Sequence, residues 1–185
     1  MISITQATKD DAPFIAPLIV SAIGDIANRL TAQNEHAEVI KTLCTLIRNT
    51  NNRHSFEHTF VARNGETIVG IAVLYDGKTG RLLDRQLEQW LHAQGRDVTI
   101  DVEAHDDEFY IDTVSVDEAA QGQGVGTKLL QFAEREAQRR GFSKISLNVE
   151  VEKVRARQLY ERLGYVTTEH WRIIDEPFHH MVKNL

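Results

Sequence analysis

Polar and apolar residues alternate from Ile2 to Ala7, which predicts a first strand. The period then changes. Ile15, Ile19, Ala22, Ile23, Ile26 and Leu30 recur at helical spacing behind a Thr8-x-x-Asp11 capping signal, with Pro13 in the first turn. Pro17 removes one backbone donor and bends this helix early. A second helical face carries His36, Ile40, Leu43, Cys44 and Ile47, with Asn34 as its expected cap and His36 as a boundary residue. Asn49 to Glu57 is polar without a period and reads as a loop. His58–Arg63 and Thr67–Tyr75 flank Asn64-Gly65, a strong hairpin signal, and Gly70 inside the second run points to a bulge or a close backbone approach.

The second half of the chain is organised around Phe109 to Tyr165. An apolar strand, Phe109–Val116, leads through Gln121-Gly122-Gln123-Gly124-Val125-Gly126 into a helix. Val125, Leu129, Phe132 and Ala133 share one face of that helix, and Gly141 ends it. A second strand, Ile145–Val151, and a shorter helix reaching Leu163 complete a strand–turn–helix–strand unit. Tyr165–Ile174 and Phe178–Val182 read as final strands joined by Asp175-Glu176-Pro177. Between the hairpin and this unit lies 76–108, where Leu83, Leu87, Trp90 and Leu91 form a helical stripe and Val98–Val102 alternates weakly.

The glycine turn carries the chemistry. Glycine permits positive φ and close approach of a ligand to the backbone. The helix that follows offers free N–H groups at Gly124, Val125, Gly126 and Thr127, at the positive end of its dipole. A diphosphate suits such a cradle; the alternative is a tight turn without a ligand. Two common phosphate motifs are excluded by spacing. The sixth position counted from Gly122 is Thr127 where a dinucleotide fingerprint needs glycine, and Lys128 follows a threonine where a P-loop needs Gly-Lys.

Gln121-x-x-Gly124-x-Gly126, with Ala156-x-x-Leu159-Tyr160-x-x-x-Gly164-Tyr165 downstream, resembles the GNAT superfamily of acyl-CoA N-acyltransferases over roughly Phe109 to Val166. The resemblance implies one domain over 1–185, with a mixed, mostly antiparallel central sheet flanked by helices and a splayed central strand pair. It marks 76–108 as an insertion that either covers the sheet or walls an acceptor pocket or dimer contact. It also implies acetyl-CoA as co-substrate. Gln121 to Thr127 (including Gly122, Gln123 and Val125) would hold the diphosphate, and the pantetheine would pair along Val114, Ser115 and Val116. A backbone N–H near Val114 or Val116 would meet the thioester oxygen, and Tyr160 would protonate the departing sulfur; the alternative is a core tyrosine, sharing an apolar helix face with Ala156, Leu159 and Leu163, with its hydroxyl at the rim. Many family members carry asparagine where this chain has Lys153. That lysine either reaches a coenzyme A phosphate, helped by Arg155 or Arg157, or lies in solvent.

The base is read from residue types. Asp112 interrupts an apolar strand, and a carboxylate there serves either to take the amine proton or to make a structural hydrogen bond to a neighbouring loop. Glu108 is the alternate candidate. Glu103, Asp106, Asp107 and Glu108 form an acidic run that is either solvated or attractive to a cationic amine.

Composition narrows the choice. At 185 residues and 42% hydrophobic, the chain can bury a full core. A net charge of −6 argues against general nucleic-acid binding. One cysteine, Cys44, excludes a disulfide framework and reads as a small core hydrophobe. No apolar run approaches about 18 residues, so a cytoplasmic protein without membrane contact is expected. The adjacent pair His179-His180 points to opposite faces of a strand, so no metal is expected. The resulting expectation is an acetyl-CoA-dependent N-acetyltransferase acting on a small-molecule primary amine, with a homodimer possible. Its rivals are a non-catalytic coenzyme A sensor or regulatory module and a protein N-terminal or lysine acetyltransferase.

Overall fold

The structure, a computed structural model, describes residues 1–185. Its elements run β1 (Ile2–Gln6), α1 (Ala12–Ile23), α2 (Asp25–Thr31), α3 (His36–Arg48), β2 (Thr59–Asn64), β3 (Thr67–Asp76) and α4 (Gly77–His92). Then follow β4 (Phe109–Val116), α5 (Val125–Arg139), β5 (Lys144–Glu150), α6 (Val154–Arg162), β6 (Val166–Ile173) and β7 (Glu176–Asn184). The strands form one seven-stranded sheet in the order β1-β2-β3-β4-β5-β7-β6. Every neighbouring pair is antiparallel except β4 and β5, the pair bridged by the α5 crossover. This is the mixed, mostly antiparallel sheet that the resemblance implies.

Alternation along the strands sends apolar side chains to both faces. Phe60, Ala72, Leu74, Phe109, Ile111, Ile145 and Leu147 meet Leu129 and Ala133 of α5, with Ala156 and Leu159 of α6 at the margin. Val61 and Ile71 meet Ile15 and Ile19 of α1 and Leu43 and Ile47 of α3 on the opposite face. Each fully buried leucine or isoleucine contributes roughly 1.5–3 kcal/mol, so these two layers hold the sheet rigid between them. Gly70 of β3 sits against Ser115 of β4: a Cβ there would lie 2.9 Å from the Ser115 carbonyl oxygen. A bulge opposite it, between Ala62 and Arg63, accompanies that close approach.

Three local expectations are corrected, and the weakly alternating segment 98–102 is resolved. The helical stripe from Ile15 to Leu30 is two helices, because Gly24 at φ 50° breaks the chain between α1 and α2. The cap of α3 is Glu35 rather than Asn34. Residues 98–102 form no strand; the Ile100 N–H donates to the Glu88 carboxylate of α4 at 2.7 Å instead of to a neighbouring strand. The last two strands turn at Ile174-Asp175, both at positive φ, so Glu176 and Pro177 belong to β7. No helix is long and apolar enough to cross a membrane.

Candidate functional site

The parallel pair β4–β5 stays in register only from Phe109–Ile145 to Ile111–Leu147. Beyond Leu147, β5 continues to Glu150 paired with β7 alone, so the strands diverge and the remaining edge of β4 faces open space. A β-bulge at Asp112 marks the point of divergence: Leu74 pairs with Ile111 and Val73 with Thr113. The gap is a cleft of about 280 Å³. Ile23, Ile26 and Leu30 of α1–α2, with Ile173 and Phe178 of the β6–β7 hairpin, form its apolar walls. Arg53, Glu103, Tyr110 and Asp112 lie at its polar end, and Val114, Ser115, Val116, Gln121 and Tyr160 line the rest.

The glycine turn is as open as its composition suggests. Gln121 to Gly124 are exposed, and the N–H groups of Gly122 through Thr127 have no acceptor within the protein. Gly122 and Gly124 adopt φ of 74° and 76°, Gly124 serving as the N-cap of α5. That conformation costs a side-chain-bearing residue about 1–2 kcal/mol. A buried Val125 anchors the first turn of the helix, so unpaired donors converge on a fixed exposed concavity. Those residues fit a diphosphate.

Tyr160, on α6, lines the cleft, and its hydroxyl is not hydrogen-bonded to any other group of the protein. Burial pushes that hydroxyl's pKa above its ordinary value, so it carries its proton at neutral pH.

Asp112 is not free. Its Oδ2 accepts from Arg53 Nε at 2.8 Å, from Arg53 Nη2 at 2.6 Å and from the Tyr75 hydroxyl, while its Oδ1 accepts from Thr113 Oγ1 at 2.7 Å. Its side chain is only 2% exposed, so the solvent reaching this residue meets its backbone on the open strand edge. Burial raises the carboxyl pKa, but Arg53 and the other donors more than offset it and hold the group below the usual carboxylate range. An anion with its lone pairs committed is a poor proton acceptor. Of the two roles open to Asp112 in the sequence, this geometry favours the structural bond to a loop.

That loop is the segment Asn49–Glu57, and it is not an ordinary surface loop. Asn52, Arg53, His54 and Ser55 are all buried. Asn52 fixes the bend by donating to the Leu46 carbonyl and accepting from the His54 N–H. Arg53 then projects into the sheet face and meets three carboxylates: Asp112, Glu103 at 2.8 Å and Asp84 of α4 at 3.3 Å. Sequence reading missed Arg53 altogether. The only available signal was indirect, since an aspartate within a buried strand requires a cation that the pattern does not identify.

Glu108 does not line the cleft. It is buried against His180, whose Nε2 lies 3.1 Å away, and accepts from the His105 N–H. Burial raises its carboxyl pKa, and His180 outweighs that, leaving it lowered. His105, Glu108 and His180 bring potential ligand atoms within 4.8 Å of one another, a grouping able to hold a cation that the adjacent pair His179-His180 did not suggest. Lys153 is exposed at the margin of the cleft, where its Nζ donates to the Ala22 carbonyl at 3.0 Å and pairs with Glu150 at 2.8 Å, tying α6 to α1. Arg155 is exposed, while Arg157 contacts His179 and Glu161. The acidic run divides, with Asp106 and Asp107 paired to Arg81 and Lys144 at the surface and Glu103 and Glu108 turned inward.

Comparison with known proteins agrees with this geometry. The model of the acetyltransferase (GNAT) family matches residues 25–165. A solved acetyltransferase is similar at 28% identity, with 98% of each chain covered and a TM-score of 0.81. An N-acetyltransferase from Staphylococcus aureus Mu50 shares the fold at 23% identity, covering 97% of this chain and 99% of its own, with a TM-score of 0.83. The ribosomal-protein-S18-alanine N-acetyltransferase from Escherichia coli shares it more distantly, at 19% identity, covering 100% and 94%, with a TM-score of 0.61. Among curated protein sequences none matches.

Proposed function

This chain belongs to the GNAT family of acetyltransferases and is an acetyl-CoA-dependent N-acetyltransferase, and from that premise we propose that it acetylates a primary amine of a small molecule by direct attack in a ternary complex. One observation carries the reading: the unpaired β4 edge, the open N–H cradle before α5 and the partnerless Tyr160 hydroxyl border one cleft. In this reading the cradle from Gln121 to Thr127 holds the diphosphate of coenzyme A. The pantetheine lies along Val114–Val116, and a strand-edge N–H receives the charge that develops on the thioester oxygen.

The amine nitrogen attacks the thioester carbon, the C–S bond breaks, and Tyr160 gives its proton to the departing thiolate. Asp112 acts by position, holding Arg53 and the bulge that opens the strands. An alkyl amine has a pKa near about 10, so only about one molecule in 10³ is neutral at pH 7, and water in the cleft carries its proton away. Apolar walls close to the polar end favour a small acceptor over a folded protein surface.

The test begins with calorimetric uptake of coenzyme A, followed by thiol release from acetyl-CoA with a panel of amines. Tyr160→Phe is expected to lower kcat by about 10²-fold, the scale of general acid catalysis, while leaving coenzyme A affinity in place. Undiminished turnover refutes the proton-donor role; tight binding without any thiol release supports a non-catalytic module instead.

A further inference from the structure

The polar end of the cleft contains more negative charge than its one cation balances. Arg53 faces Glu103, Asp112 and Asp84, whose side chains are 11%, 2% and 15% exposed. Asp112 has no capacity left, because both its oxygens accept from protein donors. Asp84 lies behind the guanidinium and outside the cleft lining. Glu103 differs from both. Its Oε2 pairs with Arg53 Nη2 at 2.8 Å and accepts from the Tyr110 hydroxyl at 2.7 Å, while its Oε1 accepts from nothing in the protein and is not among the buried unpaired atoms. Its backbone is fixed by the Asn148 side chain, which donates to the Glu103 carbonyl at 2.8 Å.

Building on the acetyl-transfer reading, we propose that the acceptor is a linear amine carrying a second positive charge, and that Glu103 Oε1 is the counter-ion of that second charge. Hydrocarbon walls of Ile23, Ile26, Leu30, Ile173 and Phe178 suit the methylene stem between the two nitrogens. Strand geometry sets the span. Tyr110, which holds Glu103, precedes Val114 by four residues, or about 13 Å along β4, so the two nitrogens stand several methylenes apart. The unbalanced field has an internal witness: burial and the neighbouring carboxylates Glu103, Asp112 and Glu88 push the Asp84 carboxyl up to about 7 although Arg53 opposes them.

The experiment compares kcat/KM for thiol release with a series of α,ω-alkyl diamines of increasing length and with monoamines of the same carbon number. A diamine is expected to exceed its matched monoamine by about tenfold or more at the best length, beyond the twofold advantage of having two reactive ends, and added salt should narrow the gap. Glu103→Gln, checked for folding by thermal melt, should shrink the ratio toward two. If that variant does not fold, the wild-type series and its salt dependence decide the matter alone. Monoamines that match diamines, or a ratio unmoved by Glu103→Gln, overturn the inference while acetyl transfer stands. Absence of thiol release with every amine overturns both.

Discussion

Adding one methyl group at two positions of the same turn should have opposite effects. Gly124 adopts φ 76°, and an added Cβ would find nothing within 4 Å. The cost of Gly124→Ala is therefore conformational and not steric, about 1–2 kcal/mol. Gly126 lies in the first turn of α5 with ordinary helical backbone, and its added Cβ would rest 3.6 Å from Val116 Cγ2, a normal contact. Gly126→Ala should then gain about 0.5–1 kcal/mol through lost chain entropy. A difference of roughly 2 kcal/mol between two alanine variants is within reach of urea denaturation. Calorimetry adds the functional half: moving Gly124 out of the left-handed region turns the following N–H groups, and coenzyme A affinity of Gly124→Ala should fall at least about tenfold, the scale of one charge-assisted hydrogen bond. Equal stabilities would refute the conformational argument. A destabilised Gly124→Ala that binds coenzyme A at full strength would refute the cradle.

The buried charges yield two further outcomes. Arg53→Met leaves Asp112, Glu103 and Asp84 without their cation and should cost about 3–5 kcal/mol at pH 7, with part recovered on mild acidification as the carboxyls take up protons; a loss under about 1 kcal/mol would show the network to be ornamental. The second outcome concerns pH. Burial lowers the His54 pKa from 6.5 to about 4, so between those values the unfolded chain holds the extra proton and acidification destabilises the fold. Asp84 works in the other direction: raised from 3.8 to about 7, it holds the extra proton in the folded state, and its contribution is lost as pH rises toward 7. The two slopes oppose one another from pH 4 to 6.5, each on the order of 1.4 kcal/mol per pH unit. Asp84→Asn removes one of them and should make stability fall more steeply on acidification than in the wild type, as read by denaturant midpoints at pH 4.5, 5.5 and 6.5. Parallel curves would dispose of the idea.

Which parts of this arrangement the chain announces in its sequence follows from the range of the interactions. The glycine turn, α5 and the Asn64-Gly65 hairpin are set by residues within a few positions of one another, and periodicity and turn chemistry find them. Tyr160 is equally local, one member of the apolar face of a short helix. The charge cluster is the opposite case. Arg53 meets Asp84, Glu103 and Asp112, which lie 31, 50 and 59 positions further along the chain. Nothing in Asn52-Arg53-His54-Ser55 distinguishes it from a solvated loop, because its burial is imposed by the elements that close over it. The same applies to Lys153, whose partner at Ala22 lies on the other wall of the cleft. The weak alternation over 98–102 leads to no strand for a related reason: a side chain of α4 supplies the acceptor that a neighbouring strand would otherwise have provided.

The two halves of the site are mechanically one, through the bulge in β4. The extra residue at Asp112 reverses which side chains face α5. Phe109 and Ile111 pack there before it, and Val114 and Val116 after it. Without that reversal, Thr113 and Ser115 would turn toward the apolar layer, and the strand edge would present the wrong amides to the gap. A bulged residue forfeits ladder hydrogen bonds and persists only where something else holds it. Here four donors on the Asp112 carboxylate hold it: two nitrogens of Arg53, the Tyr75 hydroxyl and Thr113 Oγ1. The ion pair with Arg53 therefore braces the bulge at the point where β4 parts from β5, beside the space that the proposed reaction uses. In the proposed reaction, therefore, the Asp112 carboxylate serves as the fastener of the strand and not as the base.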